Sequence, residues 1–172
     1  MKIAIIGAGA IGSAIARNFA RSGIHAFIAN SREPETLKAL TNELGPWNGR
    51  ILVDANNAVR VELDANHIPS FHAVDLGGLA SSEVVAQWAP SARVVKAFNH
   101  LIAQPLASGP VTEGGRRVLF LAGQDADAKK IISDLIVRLG FSAVDLGGVN
   151  ESRLTQFPGG ALSIINLAHI NQ

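Results

Sequence analysis

Six residues near the start of the chain, Gly7-Ala8-Gly9-Ala10-Ile11-Gly12, have the composition and spacing of a turn that receives phosphate. Gly7 lets the chain turn tightly after a strand. Gly9 lets the backbone approach a pyrophosphate with no Cβ in between, and Gly12 lets the following helix pack close to the strand. The first N–H groups of a helix have no partner inside it, and its dipole places partial positive charge there, so an anion is stabilised at that end. The chemistry predicted is the binding of a dinucleotide by residues 7–12.

A second group refines that reading. Sites that prefer NAD usually place an acid about 20 residues further on, where it holds the ribose 2′-hydroxyl. Here the position carries Asn30, Ser31 and Arg32. No carboxylate repels a 2′-phosphate, and a guanidinium beside a hydroxyl is suited to bind one. The expected ligand is NADP(H).

Other polar residues fall where strands are predicted to end, and ligands of open α/β sheets bind outside the carboxyl ends of strands. Asn56 is a candidate cofactor contact. Asn99 and His100, just after the Lys96-Ala-Phe segment, are candidate substrate contacts, whereas His25 begins a strand and reads as structural. No catalytic residue is assigned: there is no Ser-His-Asp arrangement with supporting motifs and no set of spaced metal ligands, so no metal is expected. The absence of tyrosine excludes short-chain dehydrogenase chemistry, which needs a tyrosine and lysine pair.

The elements that must position these residues follow from apolar spacing. Lys2 to Ile6 reads as a strand buried on both faces, and Ile11, Ile15 and Phe19 form a helical stripe that Gly23 ends. A strand from His25 to Ala29 leads to a helix that Pro34 starts and that runs to about Leu44. Strands are predicted at 51–54, 71–76, 93–98, 118–122 and 142–146, with helices at 82–88 and 126–139, the latter capped by Asp125. Alternation of this kind predicts an α/β fold of Rossmann type: a doubly wound, mainly parallel sheet with helices on both faces, in a single domain over residues 1–172. The segment Ala73-Val-Asp-Leu-Gly-Gly78 recurs at 143–148 and reads as two strand ends using the same turn chemistry.

Composition narrows the partners. The chain is 48% hydrophobic and 17% charged with a net charge of +1, and no stripe of Lys and Arg offers a nucleic-acid footprint. Cysteine is absent, which fits a reducing compartment, and a cytoplasmic location is expected. No run of about 20 apolar residues predicts a membrane span. Residues 160–172 read as one apolar helix whose Leu162, Ile164, Ile165, Leu167 and Ile170 exceed one narrow face, so a partner subunit is expected to cover them in a homodimer.

With these residues in view, the chain resembles the deazaflavin-dependent NADP reductases, in which NADP exchanges a hydride with coenzyme F420. The resemblance rests on Ile3 to Gly12, Asn30-Ser-Arg32 with Pro34-Glu-Thr-Leu37, Val53-Asp-Ala-Asn56, Val94-Val-Lys-Ala-Phe-Asn99 and Val118-Leu-Phe-Leu-Ala-Gly123. Asp145-Leu-Gly-Gly148 with Glu151-Ser-Arg-Leu154 extends it. The fold is also similar to the cytosolic domain of six-transmembrane metalloreductases. The resemblance implies an NADP(H)-dependent oxidoreductase with coenzyme F420 or a similar acceptor as co-substrate, and a reaction in which alignment of two cofactors replaces acid–base chemistry. It departs from the family between Leu44 and Trp47, where a further strand, helix and strand are expected, and that shortening keeps a catalytically silent NADP(H)-binding or sensor protein as the alternative.

Overall fold

The computed structural model describes residues 3–6, 9–29 and 46–170. Strand β1 (Ala4–Ile6) leads into helix α1 (Ala10–Arg21), and β2 (Phe27–Ala29) returns parallel to β1, with Ile5 opposite Ile28. The larger sheet contains β3 (Ile51–Asp54) parallel to β6 (Arg93–Ala97) in the register Val53 to Val95, and β8 (Gly115–Gly123) parallel to β9 (Ser142–Asp145). The two halves join where β8 runs antiparallel to β6, with Ala97 opposite Leu121. The result is a mixed α/β fold with a mainly parallel central sheet flanked by helices.

One core unites these parts. Ile5 of β1 and Ala14, Ile15 and Phe19 of α1 are buried with Val95, Ala97, Leu119 and Leu121 of the sheet. Helix α2 (Ser81–Trp88) connects the middle of the chain to β6, and helix α4 (Ala126–Arg138) packs Ala128, Ile132, Leu135 and Ile136 into the core. Asp125 caps α4 as expected, its Oδ1 accepting the Ala128 N–H at 2.7 Å, and Gly140 follows with φ of 92°. Asp125→Ala should lower stability by about 1 kcal/mol, and Asp125→Asn by much less, because the amide oxygen still accepts. A shift of the urea midpoint at constant m checks this.

Two expectations meet a different structure, and one short helix has no counterpart among them. A short helix α3 (Ala103–Ser108) follows β6 and packs against α1: Asn18 Nδ2 donates to the Leu106 carbonyl at 2.7 Å, and Arg21 to that of Ala107 at 2.6 Å. The single strand expected at 71–76 is instead the second arm of a hairpin, β4 (Val59–Leu63) with β5 (Pro69–Ala73). Val59-Arg-Val-Glu-Leu63 alternates with a period of two, and Asp64 Oδ1 accepts the N–H groups of Asn66 and Ile68, each at 2.8 Å, which fixes the turn.

The second correction concerns the C-terminal helix expected at 160–172. Residues 161–164 turn, and β10 (Ala168–His169) pairs antiparallel with β8 opposite Arg117 and Arg116. Ile164-Ile165-Asn166 has weak helix propensity, and the backbone finds partners on β8 instead, with the Val118 N–H donating to the Leu167 carbonyl at 2.9 Å. Ile164, Ile165, Leu167 and Ile170 remain exposed.

The repeated Asp-Leu-Gly-Gly segments do share one local chemistry. Asp75 Oδ1 accepts the Gly77 N–H at 2.9 Å, and Asp145 Oδ1 accepts that of Gly147 at 2.9 Å. The first turn opens α2; the second leads to a short 3-10 helix at Asn150–Thr155.

Candidate functional site

Gly9 stands at the N-cap of α1 in an extended conformation, and the first intrahelical bond runs from the Ser13 N–H to the Gly9 carbonyl at 2.9 Å. The N–H groups of the first turn precede that bond, and no acidic side chain lies among them. Gly9 and Ala10 are exposed, and Ile11 and Gly12 are half-buried. A Cβ built on Gly9 meets no described atom within 4 Å, so the chain's own packing does not require glycine there. An external group that approaches the backbone does require it, which fits a pyrophosphate. Gly7, Ala8, Asn30, Ser31 and Arg32 lie outside the described residues.

At the ends of β3 and β6 the sequence encloses a polar cluster in an apolar surround. Lys96 interrupts the run Val94-Val-Lys-Ala-Phe98, and its Nζ meets Asp54 Oδ2 at 3.0 Å with both side chains 1% exposed. Lys96 also donates to the Asn56 carbonyl and, at 2.9 Å, to Ser81 Oγ; Ser82 Oγ donates to Asp54 Oδ2 at 2.8 Å. Asp54 Oδ1 accepts the Asn56 N–H at 3.0 Å. The ion pair thus ties the start of α2 and the turn after β3 to the middle of β6, with every charge hydrogen-bonded.

That turn carries Asn57, which joins Asn99. Asn57 Nδ2 donates to the Asn99 carbonyl at 3.0 Å, and Asn99 Nδ2 donates to Asn57 Oδ1 at 3.0 Å and to the Thr155 carbonyl at 2.9 Å. The Phe157 N–H completes the group on Asn57 Oδ1 at 3.1 Å. With both protons of Asn99 Nδ2 committed, its amide orientation is set, and Asn99 Oδ1 is left buried with no hydrogen-bond partner among the described residues. A buried acceptor without a donor costs about 1–3 kcal/mol, so this oxygen is an acceptor that the described residues leave unused. Phe98, just before it, is held at φ of 65°, an uncommon conformation for a bulky residue and one that aims the strand end.

Of the residues expected at the site, Asn99 is therefore brought to it, and Asn56 contributes backbone while its side chain is exposed. His100 is placed differently. The residue is 1% exposed, its ring lies edge-on to Phe120 at 4.9 Å between centroids, and neither ring nitrogen has a well-aligned hydrogen-bond partner among the described residues. Burial lowers its pKa from 6.5 to about 4, the Val118 backbone acting in the opposite sense, so the ring is neutral and belongs to the core. Residues not anticipated are Asp54, Asn57, Ser81, Ser82 and Lys96. A lysine inside an apolar strand with an aspartate ending a neighbouring strand is the sequence signal that could have found the pair.

Among the described residues no group of three or more His, Asp or Glu is placed to hold a metal ion, and no helix is long and apolar enough to cross a membrane.

The arrangement of strands and helices is that of a Rossmann-like α/β protein. The model of the family described as NADP oxidoreductase, coenzyme F420-dependent, matches residues 2–68. The crystal structure of a hypothetical protein of Sinorhizobium meliloti superposes with a TM-score of 0.81 at 38% identity, covering 98% of this chain and 96% of that one. A protein of an Arthrobacter species assigned as an F420-dependent NADP reductase superposes with a TM-score of 0.66 at 24% identity, over 89% and 87% of the two chains, and shows the shared fold. The metalloreductase STEAP3 of Rattus norvegicus is 33% identical over 128 residues, which is 74% of this chain and 23% of that protein. The chain thus spans about a quarter of the length of that curated relative. Residues 2–68 thus carry the likeness to the coenzyme F420-dependent NADP oxidoreductase family.

Proposed function

We propose that the chain binds NADP(H) along the carboxyl ends of β1, β3 and β6 and is an NADP(H)-dependent oxidoreductase whose hydride acceptor is a deazaflavin such as coenzyme F420, or a similar molecule. The observation that carries this reading is the unpaired Asn99 Oδ1, buried at the end of β6, together with the open backbone over Gly9. In this reading residues 7–12 hold the pyrophosphate, Asn30, Ser31 and Arg32 hold the 2′-phosphate, and Asn99 accepts from the nicotinamide carboxamide. NADPH supplies a hydride, one proton with two electrons, to the deazaflavin, which takes a second proton from solvent.

What the chain contributes is alignment. The Asp54–Lys96 pair fixes the turn bearing Asn57, Asn57 fixes Asn99, and Asn99 sets the plane of the carboxamide. Holding two reactants in a near-attack arrangement is worth roughly 7–11 kcal/mol, which leaves no need for a dedicated acid or base. A homodimer in the cytoplasm belongs to the same proposal. A catalytically silent NADP(H)-binding or sensor protein is the second reading, favoured by the shortening of the sequence between Leu44 and Trp47.

Calorimetric titration with NADPH and NADH, followed by a deazaflavin-reduction assay on the same protein, separates these readings. Selective NADPH binding with turnover supports the reductase, tight binding without turnover supports the silent protein, and no binding overturns both. Arg32→Ala should raise the Kd for NADPH by about 10- to 100-fold and leave that for NADH within about twofold, since a charge-assisted contact to the 2′-phosphate is worth about 1.5–3 kcal/mol. Equal effects on the two nucleotides would remove Arg32 from the site.

A further inference from the structure

A cavity of about 270 Å³ lies between the base of the hairpin β4–β5, the loop from β5 to α2 and the 3-10 helix at Asn150–Thr155. Ala58, Ala73, Leu76 and Leu79 give it apolar walls, and Asp75, Arg153 and Gln156 give it polar groups that keep bonding capacity to spare. Gln156 Oε1 accepts the Ser81 hydroxyl at 3.0 Å, and one Nε2 proton goes to the Phe157 carbonyl at 3.0 Å. The second Nε2 proton has no acceptor among the described residues. Asp75 uses Oδ1 on the Gly77 N–H at 2.9 Å, which leaves Oδ2. Arg153 donates from one terminal nitrogen to the Gly78 carbonyl, with Glu83 at 3.6 Å, which leaves the other terminal nitrogen and Nε. Apolar walls with a few convergent polar groups are the usual make-up of a small-molecule site.

The cavity adjoins the strand-end cluster through two short segments. Asn57, which holds Asn99, directly precedes Ala58 in the wall. Gln156 stands between Thr155, whose carbonyl accepts from Asn99, and Phe157, whose N–H donates to Asn57. A second cavity, of about 440 Å³, lies against α2 and the start of α4, and none of its lining residues bonds Asn57 or Asn99.

We propose that the smaller cavity receives the ring of the hydride acceptor, a flat heteroaromatic system whose edge carries carbonyl and N–H groups, as in a deazaflavin or a flavin. Gln156 and Arg153 donate to the ring carbonyls, and Asp75 accepts from the ring N–H between them. The proposal rests on the reductase reading above and gives its second reactant a place.

Three features select such a ring. The first is size: sites that enclose a whole ligand run to about 300–1,000 Å³, so this one takes a ring system and leaves a polar chain outside. The second is the polar set. Two donors with one acceptor match an edge that alternates carbonyl, N–H and carbonyl, whereas an anion would meet the Asp75 carboxylate and a cation the Arg153 guanidinium. The third is position, because hydride transfer needs two rings in contact, and of the two cavities this one shares chain segments with the Asn57–Asn99 pair.

Fluorescence titration of the whole chain with deazariboflavin and with riboflavin, beside calorimetry with NADPH, tests the site. Ala73→Phe fills the cavity from an exposed strand position that suits an aromatic residue, and Gln156→Leu removes a donor. Ala86→Phe, at an exposed position of α2, fills the second cavity as the comparison. Ala73→Phe should raise the Kd of the ring by about tenfold or more and Gln156→Leu by about fivefold, with the Kd for NADPH within about twofold of wild type and circular dichroism unchanged. Ala86→Phe should change neither Kd. In the wild-type chain, added ring should slow amide exchange over residues 75–81 and 152–157, a readout that needs no variant. Ring binding that both cavity variants leave unchanged, exchange there that the ring does not slow, or binding of NADPH with no binding of either ring would overturn this site and leave the NADP(H) reading standing. Failure of NADPH itself to bind would overturn the reductase reading and this site with it.

Discussion

Lys96→Met is expected to lower the unfolding free energy by about 3–5 kcal/mol, the usual result of removing one partner from a buried ion pair. The variant leaves the Asp54 carboxylate 1% exposed with the Ser82 hydroxyl and the Asn56 N–H as its remaining donors, too little to stabilise a charge away from water. Domains have about 5–15 kcal/mol in total, so the urea midpoint should fall by a large part of its value. Asp54→Asn combined with Lys96→Met should recover more than half of the loss, because no unpaired charge then remains. A single-variant loss below about 1 kcal/mol would mean that water reaches the pair. The single variant should also weaken NADPH binding, since Lys96 holds the Asn56 carbonyl and hence the turn that presents Asn57 to Asn99.

The second large effect is a dependence of stability on pH that traces to one ring. His100 has a pKa of about 4 in the folded chain against 6.5 when free of the fold, because burial disfavours the imidazolium. Between these values the unfolded chain binds a proton that the folded chain does not. The contribution is therefore complete above about pH 6.5, is lost as pH falls towards 4, and changes no further below that. The interval corresponds to about 3 kcal/mol at 1.36 kcal/mol per pH unit. His100→Leu should flatten the profile of unfolding free energy between pH 4 and 6.5 relative to the wild-type chain. A wild-type profile already flat over that range would show that the ring is protonated without penalty.

Both effects come from residues whose environment the sequence reveals unevenly. Periodicity locates α1, β3, α2, β6, α4 and β9 to within a residue or two, because each pairs an apolar pattern with a stop such as Gly23 or Gly140, or a cap such as Asp125. It misassigns residues 160–172, where an apolar run is compatible with a helix and the free edge of β8 decides for a strand. It also takes residues 71–76 for a strand of the main sheet, since the partner Val59–Leu63 is short and its alternation is plain only once the Asp64 turn is recognised. The position of Asn99 just beyond a strand is legible in the sequence. Its anchoring by Asn57 and Thr155 is not, because those contacts span 42 and 56 residues and leave no local pattern. His100 reads as a ligand for the same reason of position, and only the fold shows that its ring packs on Phe120.

The hydrogen bonds from residues 155–157 to Asn57 and Asn99 also set an order in time. During synthesis, at about 5–20 residues per second, the glycine turn and α1 emerge early and can form from local contacts, whereas the Asn57–Asn99 pair lacks its third support until Phe157 has left the ribosome. A nascent chain halted before Thr155 therefore holds α1 while the Asn57–Asn99 pair lacks its supports from Thr155 and Phe157. The first helix and the Asn57–Asn99 cluster are in that sense separate events in the life of the polypeptide, the first open to local contacts and the second only to a chain long enough to fold back on its own middle.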